Sequence, residues 1–330
     1  MAGDTQPDTE LCRLEVEGAV ANLTLDRTDA FNALNPQLIS DIAEVLEWTS
    51  ERSVGRTGEL HSTDGSPNLR ALVIRAEGKH FCAGADINMM RDGGSKTPEE
   101  NRADSERLDR LFHGLWSHPC FTIACVQGVA LGGGAGLVSC SDHVIAEPRT
   151  RIALSEAKLG ISAAVIGPYV YRRLGSAGFR RLAMLASRIG PEEALRIGFV
   201  DEVADSADAM EESVSSVVSE VMTSGPLAVT SAKRMVGILD HWDGDDASLR
   251  AWTLDLTSEM RGSPEGQEGL SSFIDGRKPA WSQEDPSLNG SPDFGGTTCE
   301  IETEAFCTLD DAALCDPEHA HCEMQNGQST

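Results

Sequence analysis

Two turns of small residues and one carboxylate could do chemistry in this sequence. Gly132-Gly133-Gly134 ends the apolar run "QGVALGGG" and leads into a helical pattern of small residues. Amides at the start of a helix carry a partial positive charge that favours a developing negative charge nearby. Glycine also lets the backbone approach a ligand with no Cβ in the way. The stretch "GKHFCAGADINMM" (78–90) follows another apolar run, and its Ala83-Gly84-Ala85-Asp86 is a second small-residue turn. Two such turns, each after a buried strand, can aim backbone N–H groups at one oxygen. That is an oxyanion hole without side-chain donors. Twenty residues past Gly136, "RIALSEAKLGI" places Glu156 alone between apolar neighbours, where it could act as a general acid or base. Taken singly, Glu156 fits a solvated or ion-paired residue as well, and the glycines fit tight strand–helix packing.

Other ligand chemistries find less support. A Gly-x-Gly-x-x-Gly series fails from either Gly132 or Gly134, because Leu137 and Ser139 take the final positions, and no Gly-Lys-Ser/Thr follows. The formal charge of −26 on 330 residues argues against nucleic-acid binding, which needs basic surface. Residues 282–330 hold eleven acids and no Lys or Arg, and residues 1–10 hold three acids and no base, leaving about −12 for residues 11–281. No apolar run approaches the ~20 residues that span a membrane, and "MAGDTQPDTE" resembles neither a secretory signal nor a basic transit peptide, so the cytoplasm is expected. Cys12, Cys82, Cys120, Cys125 and Cys140 lie in or beside apolar stretches and read as reduced thiols. Cys299, Cys307, Cys315 and Cys322, with His319 and His321, lack a Cys-x-x-Cys knuckle, and no metal is expected there.

The elements that must position these residues follow an α/β order. "LCRLEVEGAVANLTL" (11–25) alternates around a glycine and predicts a hairpin. Asn35-Pro36 opens a helix with Leu38, Ile39, Ile42, Val45 and Leu46 on one face. Residues 51–68 are polar and turn-rich and read as an exposed loop. "ALVIRAE" (71–77), "FTIACVQG" (121–128) and "HVIAE" (143–147) are short apolar runs typical of buried strands, with helical patterns around 100–117, 133–141 and 176–187. The division is a core over 11–205, a helical region over 206–281 with Val214, Val217, Val218 and Val221 at helical spacing, and an acidic tail over 282–330 expected to be disordered.

Taken together, "LDRTDAFNAL" (25–34), "FCAGADI" (81–87), "VQGVALGGGAGLVSCSD" (126–142), "ALSEAKLGI" (153–161) and "GRKPAW" (276–281) resemble the crotonase family, the enoyl-CoA hydratases and isomerases. The resemblance runs from about residue 11 to 281. It implies an α/β fold, a crotonase-type spiral of repeated ββα units, with a C-terminal helical region that builds homotrimers, often paired into hexamers. It implies an acyl-CoA substrate and no separate cofactor, coenzyme A being part of the substrate. By position, the amides of Ala85 and Gly133 would hold the thioester oxygen and Glu156 would serve as acid and base. Ala83, Asp86, Ile87, Asn88, Gly132 and Gly136 would line the acyl-CoA path. Phe273 and Lys278 would approach CoA from the C-terminal segment, often that of a neighbouring subunit.

The sequence departs from the usual hydratase at one place. That pattern has two glutamates flanking the water, and the first position here is Gly136. A single carboxylate suffices for an isomerase, and it also serves a hydratase whose water is held by Glu156 with backbone or hydroxyl groups. A thioester hydrolase or an acyl-CoA-binding scaffold are further alternatives. "CAGADINMM", "GGGAGLVSCSD" and "ALSEAKLGISAAVIGPYVYRRLG" look like the methylglutaconyl-CoA hydratase-like branch. On that reading Gly136 leaves room for a branched acyl chain. Arg172 and Arg173 are weak candidate partners for a second substrate carboxylate, since surface or subunit contacts suit them better. His80 reads as an exposed loop histidine and Asp142 as a tie for backbone. Neither His143 nor Cys82 has a partner in the sequence that suggests chemistry.

Overall fold

The structure, a computed structural model, describes residues 5–282. Residues 283–330, with the expected disordered tail and its four cysteines, lie outside the described residues. The predicted hairpin is β1 (Cys12–Glu17) and β2 (Val20–Leu25), joined through Gly18 at φ +57°. The further strands are β3 (Ala71–Ala76), β4 (Phe121–Val126), β5 (Val129–Leu131), β6 (His143–Ala146), β7 (Arg151–Ala153) and β8 (Glu202–Val203). The main sheet has the order β1-β2-β3-β4-β6-β8, antiparallel only in its first pair. β5 and β7 form a second, parallel pair.

Parallel neighbours need crossovers, and helices supply them. The helix after Asn35 is α1 (Pro36–Glu51), with the Asn35 side chain accepting from Leu38 N. It is followed by α2 (Val54–Thr57), α3 (Ile87–Asp92) and α4 (Pro98–Trp116), the last opened by a capping box between Thr97 and Glu100. Then come α5 (Gly133–Cys140), α6 (Gly167–Leu185) and α7 (Pro191–Arg196). The runs β1-β2-α1, β4-β5-α5 and β6-β7-α6 each repeat strand, strand, helix, in the manner expected.

Both faces of the sheet are covered, which is why its strands read as near-continuous apolar runs. Leu72 and Ile74 of β3 pack into the main core with Leu38, Ile42 and Leu46 of α1 and Leu111, Phe112 and Leu115 of α4. Val73, Ile123, Cys125 and Ile145 point the other way, against Met210 and Val214 of α8 (Ala207–Thr223). Burying one such large aliphatic side chain contributes about 1.5–3 kcal/mol. The five cysteines of the core are buried and unpaired, as their apolar settings suggested.

Two elements differ from the sequence reading. The polar stretch 51–68 is only partly a loop: Ser53 and Val54 are buried, Ser53 caps α2, and Gly55 lies against Thr230. One apolar residue, Val54, anchors a segment whose polar neighbours hide it from pattern reading. The helical pattern near 176–187 is the second half of α6, which Gly175 interrupts at φ +68°, ψ 176°.

The C-terminal region continues with α9 (Pro226–Asp240), α10 (Asp246–Gly262) and α11 (Pro264–Asp275). Arg70, buried at the start of β3, holds it to the sheet by donating to the carbonyls of Val221, Ser224 and Trp281. No residue of α10 is buried in the single chain. Among the described residues no helix is long and apolar enough to cross a membrane.

Candidate active site

Each of the two small-residue turns contains a peptide plane fixed by its carbonyl. Leu34 N donates to Gly84 O (2.8 Å), and Asp86 N donates back to Leu34 O (3.0 Å). A trans peptide points its N–H opposite to its C=O, so this pairing turns the Ala85 N–H away from Leu34. Across the gap, Gly132 O accepts from Gly136 N (3.0 Å) as α5 begins, so the Gly133 N–H points back out of the helix start. Neither amide donates to another described residue. The turns are close: a Cβ on Gly133 would lie 3.6 Å from Ala85 N, and one on Gly84 would lie 3.6 Å from Gly133 N. Two unbonded amides, one at a helix N-terminus, thus flank one small space.

Glycine is required at two of these positions. Gly84 sits at φ +99°, and a Cβ there would meet Leu131 O at 2.7 Å. Gly132 sits at φ +49°, and a Cβ there would lie 3.0 Å from Glu156 Oε1 and 3.5 Å from Ser155 Oγ. The glycine run therefore does what the sequence left undecided. It gives the strand–helix turn its shape and brings backbone directly against the carboxylate.

Glu156 opens a short 3-10 turn (Glu156–Leu159) beyond β7. Its Oε2 is buried and has no hydrogen-bond partner among the described residues. Burial pushes the carboxyl above its ordinary range, with only its own amide opposing. A carboxylate so placed is neither the solvated nor the ion-paired residue that its sequence setting also allowed. A carboxyl with its pKa raised in this way is a better base than a solvated one, and it can both take and return a proton.

A bracket behind the Ala85 turn was not singled out by sequence reasoning. Asn32 is fully buried at φ +55° and donates from Nδ2 to the carbonyls of Glu77 (3.0 Å) and His80 (2.8 Å). Arg27 donates to Ala33 O (2.7 Å) and pairs with Asp86 Oδ2 at 2.8 Å. Asp86 Oδ1 accepts from Asn88 N and Met89 N at the start of α3. Burial would raise the Asp86 carboxyl, but the Arg27 bond and these amides hold it below its ordinary range. The available signal was positional: Arg27 and Asn32 both fall within "LDRTDAFNAL".

The remaining candidates divide. Ala83 is fixed by its N–H to Phe31 O (3.0 Å), and Ile87 and Asn88 are exposed at the start of α3. Asp86 is a cap and ion-pair partner, its carboxylate engaged with Arg27 and α3. Phe273 is 87 % exposed on α11 and Lys278 is exposed beyond it. Hydrogen bonds of that segment run to Glu268, Thr223, Met222 and Arg70. Gly136 makes no room for an acyl chain. It is buried, and a Cβ there would lie 2.5 Å from Ile166 Cγ2 and 2.8 Å from Phe112 Cε1. The space in front of it is filled by core side chains brought from α4 and from the turn before α6.

Arg172 is held by Asp240 at 2.7 Å and lies over the rings of Trp116 and Tyr169. Arg173 is held by Asp201 and by the carbonyls of Ser141, Gly198 and Phe199. Both guanidiniums serve the fold within the chain. Asp142 ties down backbone as expected, accepting from Thr122 N, Thr122 Oγ1 and Lys233 Nζ. His80 is half-buried against Phe31, not on an open loop. Burial, with Lys79 and Arg188 nearby, lowers its pKa. His143 begins β6 with Nε2 4.0 Å from the Glu202 carboxylate. Burial pushes the Cys82 thiol to about 12, so it is no nucleophile.

Comparison with known proteins agrees with this geometry. An enoyl-CoA hydratase from Shewanella pealeana superposes with a TM-score of 0.74 at 32% identity, over 83% of this chain and 97% of that one. The crotonyl-CoA hydratase of Syntrophomonas wolfei is 30% identical over 268 residues, covering 80% of this chain and 95% of the relative. The mevalonyl-coenzyme A hydratase SIDH of Beauveria bassiana is 27% identical over 270 residues, covering 78% and 90%. The family model for enoyl-CoA hydratase/isomerase matches residues 15–284, most of the chain and both glycine turns, and the chain therefore belongs to that family.

Proposed function

We propose that the protein adds water across the α,β-double bond of an acyl-CoA thioester. The carrying observation is the pair of unbonded amides, Ala85 and Gly133, beside the desolvated carboxylate of Glu156. Attack of water at the β-carbon drives negative charge onto the thioester oxygen, and two fixed donors stabilise that enolate. Removing one such donor typically lowers the rate by about 10²–10³. Glu156, its carboxyl pushed above the ordinary range by burial, takes the proton from water and returns it to the α-carbon. Protein groups alone carry the reaction, coenzyme A entering as part of the substrate.

The acyl group is read as branched and methylglutaconyl-like. This rests on the branch resemblance of residues 82–90 and 132–142 and on the relative named mevalonyl-coenzyme A hydratase. A cation for a second carboxylate would have to come from elsewhere than Arg172 and Arg173. We read the active form as a cytoplasmic homotrimer or hexamer, supported by Leu254, Phe273 and Ile274, which are 69%, 87% and 80% exposed in the single chain.

One observation favours a second reading, double-bond isomerisation: position 136, where the hydratase pattern has its first glutamate, is a walled-in glycine, which leaves Glu156 as the carboxylate at a family catalytic position. A panel of straight and branched enoyl-CoAs in heavy-oxygen water, followed by mass spectrometry, separates the cases. Label at the β-carbon is expected. A moved double bond without label would make the protein an isomerase, free CoA would make it a hydrolase, and binding without turnover would make it a scaffold.

A further inference from the structure

A hydratase must orient its water as well as deprotonate it, and with glycine at 136 the second group for that task has to come from elsewhere. Ser155 stands at the position that normally caps a helical turn, yet its side chain makes no capping bond, because its backbone is already helical at φ −85°, ψ −6°. Its hydroxyl hydrogen-bonds to no other described residue. Instead Oγ lies 3.5 Å, and Glu156 Oε1 3.0 Å, from the same point, the place where a Cβ on Gly132 would be. Gly132 precedes the Gly133 amide, so both oxygens stand beside the oxyanion turn. The two arrive together because they are consecutive residues after β7, and Gly132, lacking a Cβ, lets both approach.

We propose that Ser155 is the second water-holding group of this site, in place of the carboxylate absent at position 136. The inference rests on the hydratase reading above and assigns the water's partners. The Ser155 hydroxyl donates to the water oxygen, and one water hydrogen points to Glu156. The water oxygen then bonds to the β-carbon as its proton passes to Glu156, and the C=C electron pair shifts onto the thioester oxygen. The enolate collapses by taking that proton from Glu156 at the α-carbon. Both hydrogens of the water end in the product, one on the hydroxyl and one on carbon. A serine cannot accept the proton at neutral pH, so it orients water while Glu156 alone does the acid–base work.

Isomerisation needs no water, and that provides the test. In Ser155→Ala, hydration of crotonyl-CoA is expected to fall at least about tenfold in kcat, within the range for one lost positioning group. Conversion of 3-butenoyl-CoA to crotonyl-CoA, which uses only Glu156 and the two amides, should stay within about threefold. Ser155→Thr, which keeps the hydroxyl, should restore hydration. Equal losses in both reactions, or hydration unchanged in Ser155→Ala, would overturn the assignment, as would failure of Ser155→Thr to restore it while isomerising normally. If the wild-type protein isomerises but incorporates no water, the hydratase reading itself fails, and that result is distinct from any Ser155 effect.

Discussion

Burial of Glu156 acts on rate and stability in opposite directions, and both effects are measurable. Because its carboxyl lies above the ordinary range, the acid limb of the kcat/KM profile is expected at higher pH than a solvated glutamate gives. Glu156→Gln should reduce hydration to below a tenth of wild type and leave acyl-CoA binding nearly unchanged. A variant above that level would remove Glu156 from the acid–base role. For stability, a carboxyl with a raised folded pKa binds more protons in the native than in the unfolded state. The native state therefore loses stability as pH rises from the unfolded value through the folded one. Glu156→Gln should accordingly be more stable than wild type at neutral pH, with the two converging under acid. Urea melts over a pH series test this, and parallel curves would contradict it.

At the scale of elements, α5 has to start at Gly133 and pass close under two neighbours. Gly134 lies against Cys82 O, which a Cβ would meet at 2.4 Å, and Gly136 lies against Phe112 and Ile166. Small residues here let α5 seat between the small second sheet and α4, which in turn aims the Gly133 amide. Gly136→Ala should therefore cost about 1–3 kcal/mol, the usual range for overpacking a core, read as a lowered urea midpoint. Gly136→Glu should lose activity on straight and branched enoyl-CoAs alike, since the new carboxylate meets core side chains before it can reach substrate. A gain on crotonyl-CoA would mean that Phe112 and Ile166 yield.

For the whole molecule, the distribution of apolar surface is the leading feature. The sheet is covered on both faces, yet no residue of α10 is fully buried, and Leu254, Phe273 and Ile274 stand open in the single chain. Apolar area of that kind is ordinarily covered by another copy or partner. Leu254→Glu is expected to lower the mass seen by light scattering without changing the far-ultraviolet circular dichroism. A monomeric wild-type protein would refute the oligomer reading. Arg70 links this region to the site's scaffold, since it joins the start of β3 to the ends of α8 and of the described chain.

The sequence by itself determined the α/β order, the hairpin, the capped α1, the buried strands and the two glycine turns. Each of these depends on local chemistry: alternation, a capping side chain, a run of apolar residues, a backbone without Cβ. It also singled out Ala85, Gly133 and Glu156, through motifs that keep their order along the chain. Only the tertiary structure decided what surrounds them. That Arg172 and Arg173 are engaged, that Asp86 is paired with Arg27, and that Val54 anchors a polar stretch all depend on residues distant in sequence. The same holds for Gly136, whose bare Cα reads as open space in one dimension. In three dimensions Phe112 and Ile166, from either side of α5 in the chain, fill that space, because a close-packed interior leaves no void the size of a side chain.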